Sequence, residues 1–338
     1  MKKNLKVGVI ANPSSGRDLR RLLSWASIST SSEKVNTVLR LITALASQGV
    51  EEVFLMPDDG GLSRRIKESV ELVRPQMPSL PFVSMINMIA QGGSNDSTVA
   101  ATLMADAGAG MLVVLGGDGT HRAVAKAETS LPLCTISTGT NNAFPGREDA
   151  TVIGLAAGLY LSGKVPESVA LIRNKRLRIK GKGWEDIALV DICFSRQTSI
   201  GGKAVWQERD IQEVFVAFAE PWAMGLSSLA GLSSPITRAE PKGARIKLGP
   251  GQKIQTMMMP GMITDVSIKN IETFLVDTPF DVIAPIGTIA FDGEREIELD
   301  FQDTLEICLD WKGPETINPH SILEFMARTQ GNPETRYY

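Results

Sequence analysis

VVLGGDGTHRAVAK, residues 113–126, joins an apolar run to a helical pattern through three glycines and a lone aspartate. Glycine permits positive φ and, lacking a Cβ, lets another group approach the backbone closely. Thr120 stands where the N-cap of a helix over about 121–129 is expected, so the unpaired N–H groups of a first turn face the loop. With the helix dipole they make a site for anionic oxygens. A carboxylate opposes phosphate, so Asp118 implies more than phosphate binding: a metal bridge to the phosphates, or a base for a substrate hydroxyl. The alternative is a tight turn that holds no ligand. A string of this composition arises by chance in roughly one such chain per thousand, which favours the ligand reading.

Outward from that stretch the first half of the chain alternates. Strands are expected at Val7–Ala11, Val53–Met56, near Phe82–Ile89, at Met111–Leu115 and at Leu133–Ser137. Helices are expected at about 33–48, with Thr30 and Glu33 spaced as a capping box and Gly49 past the end, and at Ser63–Arg74, ended by Pro75. Two more follow, one capped by Asp96 and running to about Ala107, the other at about 149–162. Such alternation implies right-handed crossovers and a parallel sheet covered on both faces. In an open sheet of this kind ligands collect at the carboxyl ends of the strands, where residues 116–120 lie.

The second half reads differently. Residues 176–194 have the pattern of two strands across a Gly-Lys-Gly turn, and 287–301 that of a hairpin turned at Asp292-Gly293. KIQTMMMP, VSIKNIETFLV and LEICLDW add strand-like runs. The expected organisation is therefore an α/β domain over 1–164, a β-rich domain over 165–318, and a C-terminal helix and tail over 319–338 packing back on the first.

Composition narrows the function classes. The chain has 338 residues, 43% hydrophobic and 22% charged, with net charge −3. That balance gives no electrostatic attraction to nucleic acid or an anionic membrane. No apolar run reaches the roughly 18–20 residues of a membrane span, and the opening apolar run is too short for a signal-peptide core, so a cytoplasmic setting is expected. Cys134, Cys193 and Cys308 lack metal-ligand spacing and read as core residues; with two histidines, zinc is not indicated. His121 reads as a phosphate donor or a partly exposed helix residue, and Arg122 as a phosphate partner or a solvated side chain. Trp184, Trp206, Trp222 and Met257–Met259 read as core or lid packing.

GGDGT after a hydrophobic strand resembles the signature of the superfamily that joins NAD kinases and diacylglycerol-type lipid kinases. Three further segments agree in order: ANPSSG (11–16), STGTNNAFP (137–145) and FDGERE (291–296). Within that superfamily the strings are most similar to the ATP-NAD kinase-like proteins of the acetoin-catabolism X type. The resemblance implies a Rossmann-like first domain, a β-sandwich second domain and an active site in the cleft between them. It implies transfer of phosphate from ATP, with Mg2+, to the hydroxyl of a small soluble acceptor, NAD being the first candidate. In that reading Asp118 takes the hydroxyl proton with Glu294 as auxiliary base, and Asp292 holds magnesium. Gly116, Gly117, Gly119 and Thr120 hold phosphate oxygens, while Asn12, Thr140, Asn141 and Asn142 line the nucleotide. A homo-oligomer is the family's habit.

The substrate half departs from NAD kinases. Their Asn-Glu pair, which contacts the dinucleotide, corresponds to Val190 and Asp191; valine offers no amide, and Asp191 keeps the acidic contact. AMGLSSLAGLSSP (223–235) lacks the tyrosine of the family's Gly-Ser-Thr-Ala-Tyr segment. A lipid or polyol kinase is the alternative acceptor reading, since GTNNAF is also similar to the lipid kinases' Gly-Thr-x-Asn-x-Phe segment. A nucleotide-binding regulatory protein without transfer activity is the third.

Overall fold

The computed structural model describes residues 5–16, 25, 29–139, 141–201, 203–299 and 303–330. The first half is built of β1 (Lys6–Ala11), α1 (Ser31–Ala46), β2 (Glu52–Leu55), α2 (Leu62–Val73), β3 (Phe82–Met85), α3 (Asn95–Asp106), β4 (Met111–Gly116), α4 (Asp118–Ala125), β5 (Leu133–Ser137) and α5 (Ala150–Leu161). A short α6 (Glu167–Ala170) leads into β6 (Leu171–Arg173).

Apolar side chains on both faces of each central strand bury β4 completely and β1 from Val7 onward. Val7, Val9, Met111, Val113 and Leu115 meet α1, α2 and α5 on one side; Ile10, Leu112 and Val114 meet α3 and α4 on the other. The capping box forms as expected, Thr30 accepting from the Glu33 N–H while Glu33 accepts from the Thr30 N–H. Asp96 does not cap α3. It turns back to accept from the N–H groups of Gln91 and Gly92, and Ser94 takes the cap position without a side-chain bond. The expected strand 82–89 stops at Met85.

The β-rich half contains β7 (Arg176–Gly181), β8 (Trp184–Ala188), β9 (Asp191–Ser195), β10 (Ile211–Val216), α7 (Ser228–Gly231), β11 (Lys242–Met259), β12 (Met262–Leu275), β13 (Phe280–Ile283), β14 (Gly287–Phe291), β15 (Glu294–Leu299) and β16 (Thr304–Asp310). It closes with β17 (Glu315–Ile317) and α8 (Pro319–Gln330). Residues 176–194 thus form three strands rather than two. An antiparallel sheet ordered β12-β11-β10-β9-β14-β15 faces a second ordered β13-β16-β7-β8. Period-2 alternation on β9 explains the layering: Ile192 and Phe194 enter the core between the sheets, while Cys193 faces the opposite side with Leu229 and Ala230 of α7.

The seven-stranded sheet is ordered β3-β2-β1-β4-β5-β17-β6, parallel from β3 through β17, with β6 antiparallel at the edge. Two of its strands therefore lie beyond residue 164, and α8 packs on α5 through Ile322, so the chain re-enters the first half after the sandwich. From β1 the chain winds outward to β3 and then returns to the other side of β1 for β4. The loops after β1 and β4 diverge at that switch point, which leaves a crevice at the carboxyl ends of the strands.

Candidate active site

A cavity of about 850 Å³ opens at the switch point, lined by residues 12–16 after β1, 117–120 at the start of α4, Asn141 and Asn142 after β5, and 292–296 from the β14–β15 hairpin. Four segments far apart in sequence, one of them from the second half, therefore share one wall. Asp58, Asp59 and Asp96 contribute to the rim, and Lys203 and Arg295 are the cations among the lining residues.

The glycine loop works by close approach rather than by positive φ. A Cβ on Gly116 would stand 2.4 Å from the Thr120 side chain, and one on Gly117 2.9 Å from Asn142 Oδ1. Gly116 does not reach the cavity; its carbonyl accepts from the Thr138 N–H. The N-cap of α4 is Gly117, not Thr120, because the N–H groups of Thr120 and His121 both donate to the Gly117 carbonyl. The helix thus starts at Asp118, earlier than expected, and Asp118 sits in its first turn. Thr120 accepts from Asn12 Nδ2 at 2.9 Å, which ties the first loop to α4. Thr140 lies outside the described residues.

Asp118 is 7% exposed. Its Oδ1 accepts from the Phe144 N–H at 2.9 Å, and Oδ2 from the Ala143 N–H at 3.0 Å. Burial, reinforced by Asp292, pushes its pKa up to about 7 against the pull of those two N–H groups and of Arg238. Glu294 comes in from the β14–β15 hairpin: a Cβ on Gly119 would be 3.8 Å from its carboxyl carbon. Asn141 Nδ2 donates to the Met258 carbonyl and Asn142 Nδ2 to Ser137 Oγ, so both amides also brace the wall they form.

Two expected ligand residues are engaged by backbone N–H groups of their own half. Asp292 and Gly293 sit at φ 49° and 81°, the left-handed pair of a tight hairpin turn. The Asp292 Oδ1 accepts from the N–H groups of Leu189, Val190 and Asp191 at 3.1, 2.8 and 3.2 Å. Burial raises its pKa, opposed by Arg122 and those amides. Asp191, only 4% exposed, accepts from the Gly293 N–H and is not among the cavity-lining residues. The carboxylates at 191 and 292 thus lock the β9–β14 corner to itself. Among the described residues no three carboxylate, histidine or cysteine side chains gather to hold a metal ion. Asp118, Asp292 and Glu294 nevertheless all border the cavity, and magnesium is commonly held by one or two carboxylates together with substrate phosphates and water.

The burial of two singled-out residues, His121 and Arg122, was not foreseen, and Lys34 was missed. His121 is fully buried rather than partly exposed. Its Nδ1 donates to the Gly117 carbonyl at 2.8 Å, which fixes the tautomer, and burial lowers its pKa to about 4. Arg122 is buried too: it pairs with Asp186 at 2.6 Å and Glu296 at 2.7 Å, donates to the Ile187 carbonyl, and lies 4.4 Å from the Phe291 ring centre. Lys34, 2% exposed, donates to the carbonyls of Asn12, Pro13 and Ser15 and so shapes the loop after β1 from below. Its signal was readable: it falls on the apolar stripe of α1 with Val38, Leu41 and Leu45. Trp206 lines the cavity, and Trp222 is 70% exposed rather than core.

No helix among the described residues is long and apolar enough to cross a membrane. The ATP-NAD kinase N-terminal domain family matches residues 7–163, and the acetoin catabolism protein X C-terminal domain family matches residues 175–312. Acetoin catabolism protein X of Cupriavidus necator is 42% identical over 314 residues, covering 90% of this chain and 87% of that protein. Yeast NADH kinase, in a crystal structure with NADH, superposes with a TM-score of 0.53 at 14% identity, over 98% of this chain and 89% of that one, and shares the fold. This kinship supports ATP-dependent phosphoryl transfer as the general chemistry. By sequence kinship across both halves, the chain belongs to the acetoin catabolism protein X family, within the superfamily of ATP-NAD kinases and diacylglycerol kinases.

Proposed function

We propose that this protein transfers a phosphoryl group from ATP to a hydroxyl of a small soluble acceptor, with Asp118 as the general base. The observation that carries this reading is a buried carboxylate in the first turn of α4, with its pKa raised to about 7, in a cavity lined by both halves of the chain. A base that titrates near neutrality combines the correct protonation state with proton-transfer driving force. Phosphoryl transfer asks for little more from a protein than positioning and charge stabilisation. The Gly119 amide and the Thr120 hydroxyl would take phosphate oxygens; Asn12, Asn141 and Asn142 would frame the donor, and Glu294 would face the acceptor. Magnesium, arriving with the nucleotide, would neutralise phosphate charge that the acidic wall otherwise repels. NAD is the first acceptor to test. Small hydroxylated compounds stand beside it, since the Cupriavidus necator relative is named for acetoin catabolism and Asp191 faces away from the cavity.

Purified protein incubated with ATP, magnesium and NAD, NADH, acetoin, polyols or diacylglycerol should yield a phosphorylated soluble product. Asp118→Asn should bind nucleotide and lose about 10²–10⁴-fold in turnover. Phosphate on the lipid alone would replace the acceptor class. Nucleotide binding without any product would favour the regulatory reading, and parental turnover in Asp118→Asn would remove Asp118 from the chemistry.

A further inference from the structure

We propose that Arg238 is a positioning residue for Asp118, acting across the domain boundary through the single peptide group that joins Ala143 to Phe144. Arg238 belongs to the β-rich half, between α7 and β11, yet its guanidinium reaches the loop after β5. Nη2 donates to the Ala143 carbonyl at 2.5 Å and Nη1 to the Phe144 carbonyl at 3.0 Å. The amide that owns the Ala143 carbonyl also owns the Phe144 N–H, and that N–H donates to Asp118 Oδ1 at 2.9 Å. One peptide plane is thereby gripped at one end by a cation of the second half and at the other by the carboxylate of the first. The Phe144 carbonyl precedes Pro145, whose nitrogen carries no hydrogen. The second arginine bond therefore fixes the loop's orientation and relays nothing further.

The guanidinium is itself held in plane. It lies 4.3 Å from the Phe218 ring centre and 5.4 Å from that of Phe144, and its Nε stands 3.4 Å from Glu220. Hydrogen bonds in series polarise one another, so a cation on the carbonyl side strengthens the N–H that faces the carboxylate. Asp118 also faces Asp292, which favours its protonated form, and Arg238 is the cation that opposes it. A planar fork is needed to reach two carbonyls at once; a lysine keeps the charge and loses the geometry.

The inference rests on Asp118 as the base, and its test is built to stand apart from that reading. Arg238→Met should lower kcat about 10–100-fold, leave KM for ATP within about threefold, and move the acid limb of kcat/KM upward by about half to one pH unit. Arg238→Lys should return the limb toward its parental position while recovering only part of kcat. The Asp118 carboxyl carbon, assigned with Asp118→Asn and titrated by 13C NMR, needs no turnover. Its midpoint should rise in Arg238→Met whether or not the protein transfers phosphate. An unchanged midpoint overturns the role of Arg238 whatever the activity. Should Arg238→Met fail to fold, Arg238→Lys decides alone: reduced kcat with an unshifted midpoint is expected, and parental kcat overturns the proposal.

Discussion

Asp118 and Asp292 approach the cavity from opposite halves of the molecule with the same local device. Each is buried, each is caged by successive backbone N–H groups of its own half, and each is countered by an arginine from the other half, Arg238 for Asp118 and Arg122 for Asp292. The difference lies in how completely the cage closes. Asp292 accepts from three consecutive amides and occupies the left-handed corner of a hairpin, so its carboxylate is a structural lock. Asp118 accepts from two and sits in the first turn of a helix, while both carboxylates border the cavity. Similar chemistry holds a turn in one place and, in the function proposed above, supplies a base in the other. The arginines should divide accordingly, Arg122 holding the halves together and Arg238 tuning the base.

The strongest way to break this division is Arg122→Met. Removing the cation leaves Asp186 and Glu296 facing one another at the junction, with Lys126 only partly compensating Asp186. A loss of about 3–5 kcal/mol in denaturant unfolding is expected, the range for one-sided removal of a buried ion-pair partner. If Arg238→Met costs as much stability as Arg122→Met, the two arginines are not specialised and the comparison fails.

Asp118→Asn gives a smaller effect with a definite sign. The native pKa, about 7, lies above the ordinary value of 3.8, so between those pH values the folded chain binds the extra proton. Folding stability therefore falls as pH rises through that window and levels off above it. The neutral variant should be more stable than the parent by about 1–3 kcal/mol at pH 8, with the gain vanishing near pH 4. A gain that does not change with pH would show that the carboxylate is not held against its charge.

How much of this was legible follows from where each signal resides. The capping box of α1, the β5 boundaries and the Asp-Gly hairpin turn depend on neighbours within a few residues, and the chain spells them out. The glycine loop was also legible, although the close approach it permits is to Thr120 and Asn142 of this chain. Arg122 was not. Its partners are 64 and 174 residues away, and an arginine on a short helix carries no mark of burial until those partners arrive. Arg238 is the same case, since what it does depends on the far side of a peptide group in the other half. The re-entry of β17 into the first sheet was hidden because a three-residue strand has no period to read. Local chemistry wrote the elements; the charged contacts between halves exist only in the assembled fold.

Asp191 supplies the smallest and sharpest test, because family resemblance and geometry assign it different tasks. Resemblance makes it the acidic contact to a dinucleotide, whereas its Oδ1 accepts from the Gly293 N–H at 3.2 Å in the corner that Asp292 also secures. Asparagine keeps an acceptor oxygen of the same shape for the Gly293 N–H and removes the charge. If the residue is a brace, Asp191→Asn should change the acceptor's KM by less than about threefold and unfolding stability by about 1 kcal/mol or less, since the Gly293 N–H keeps its acceptor. A tenfold rise in acceptor KM at unaltered stability would instead place the carboxylate on the substrate. The lock would then belong to Asp292 alone, and the contrast between a turn-holding carboxylate and a ligand-holding one would run within the β9–β14 corner rather than between the halves.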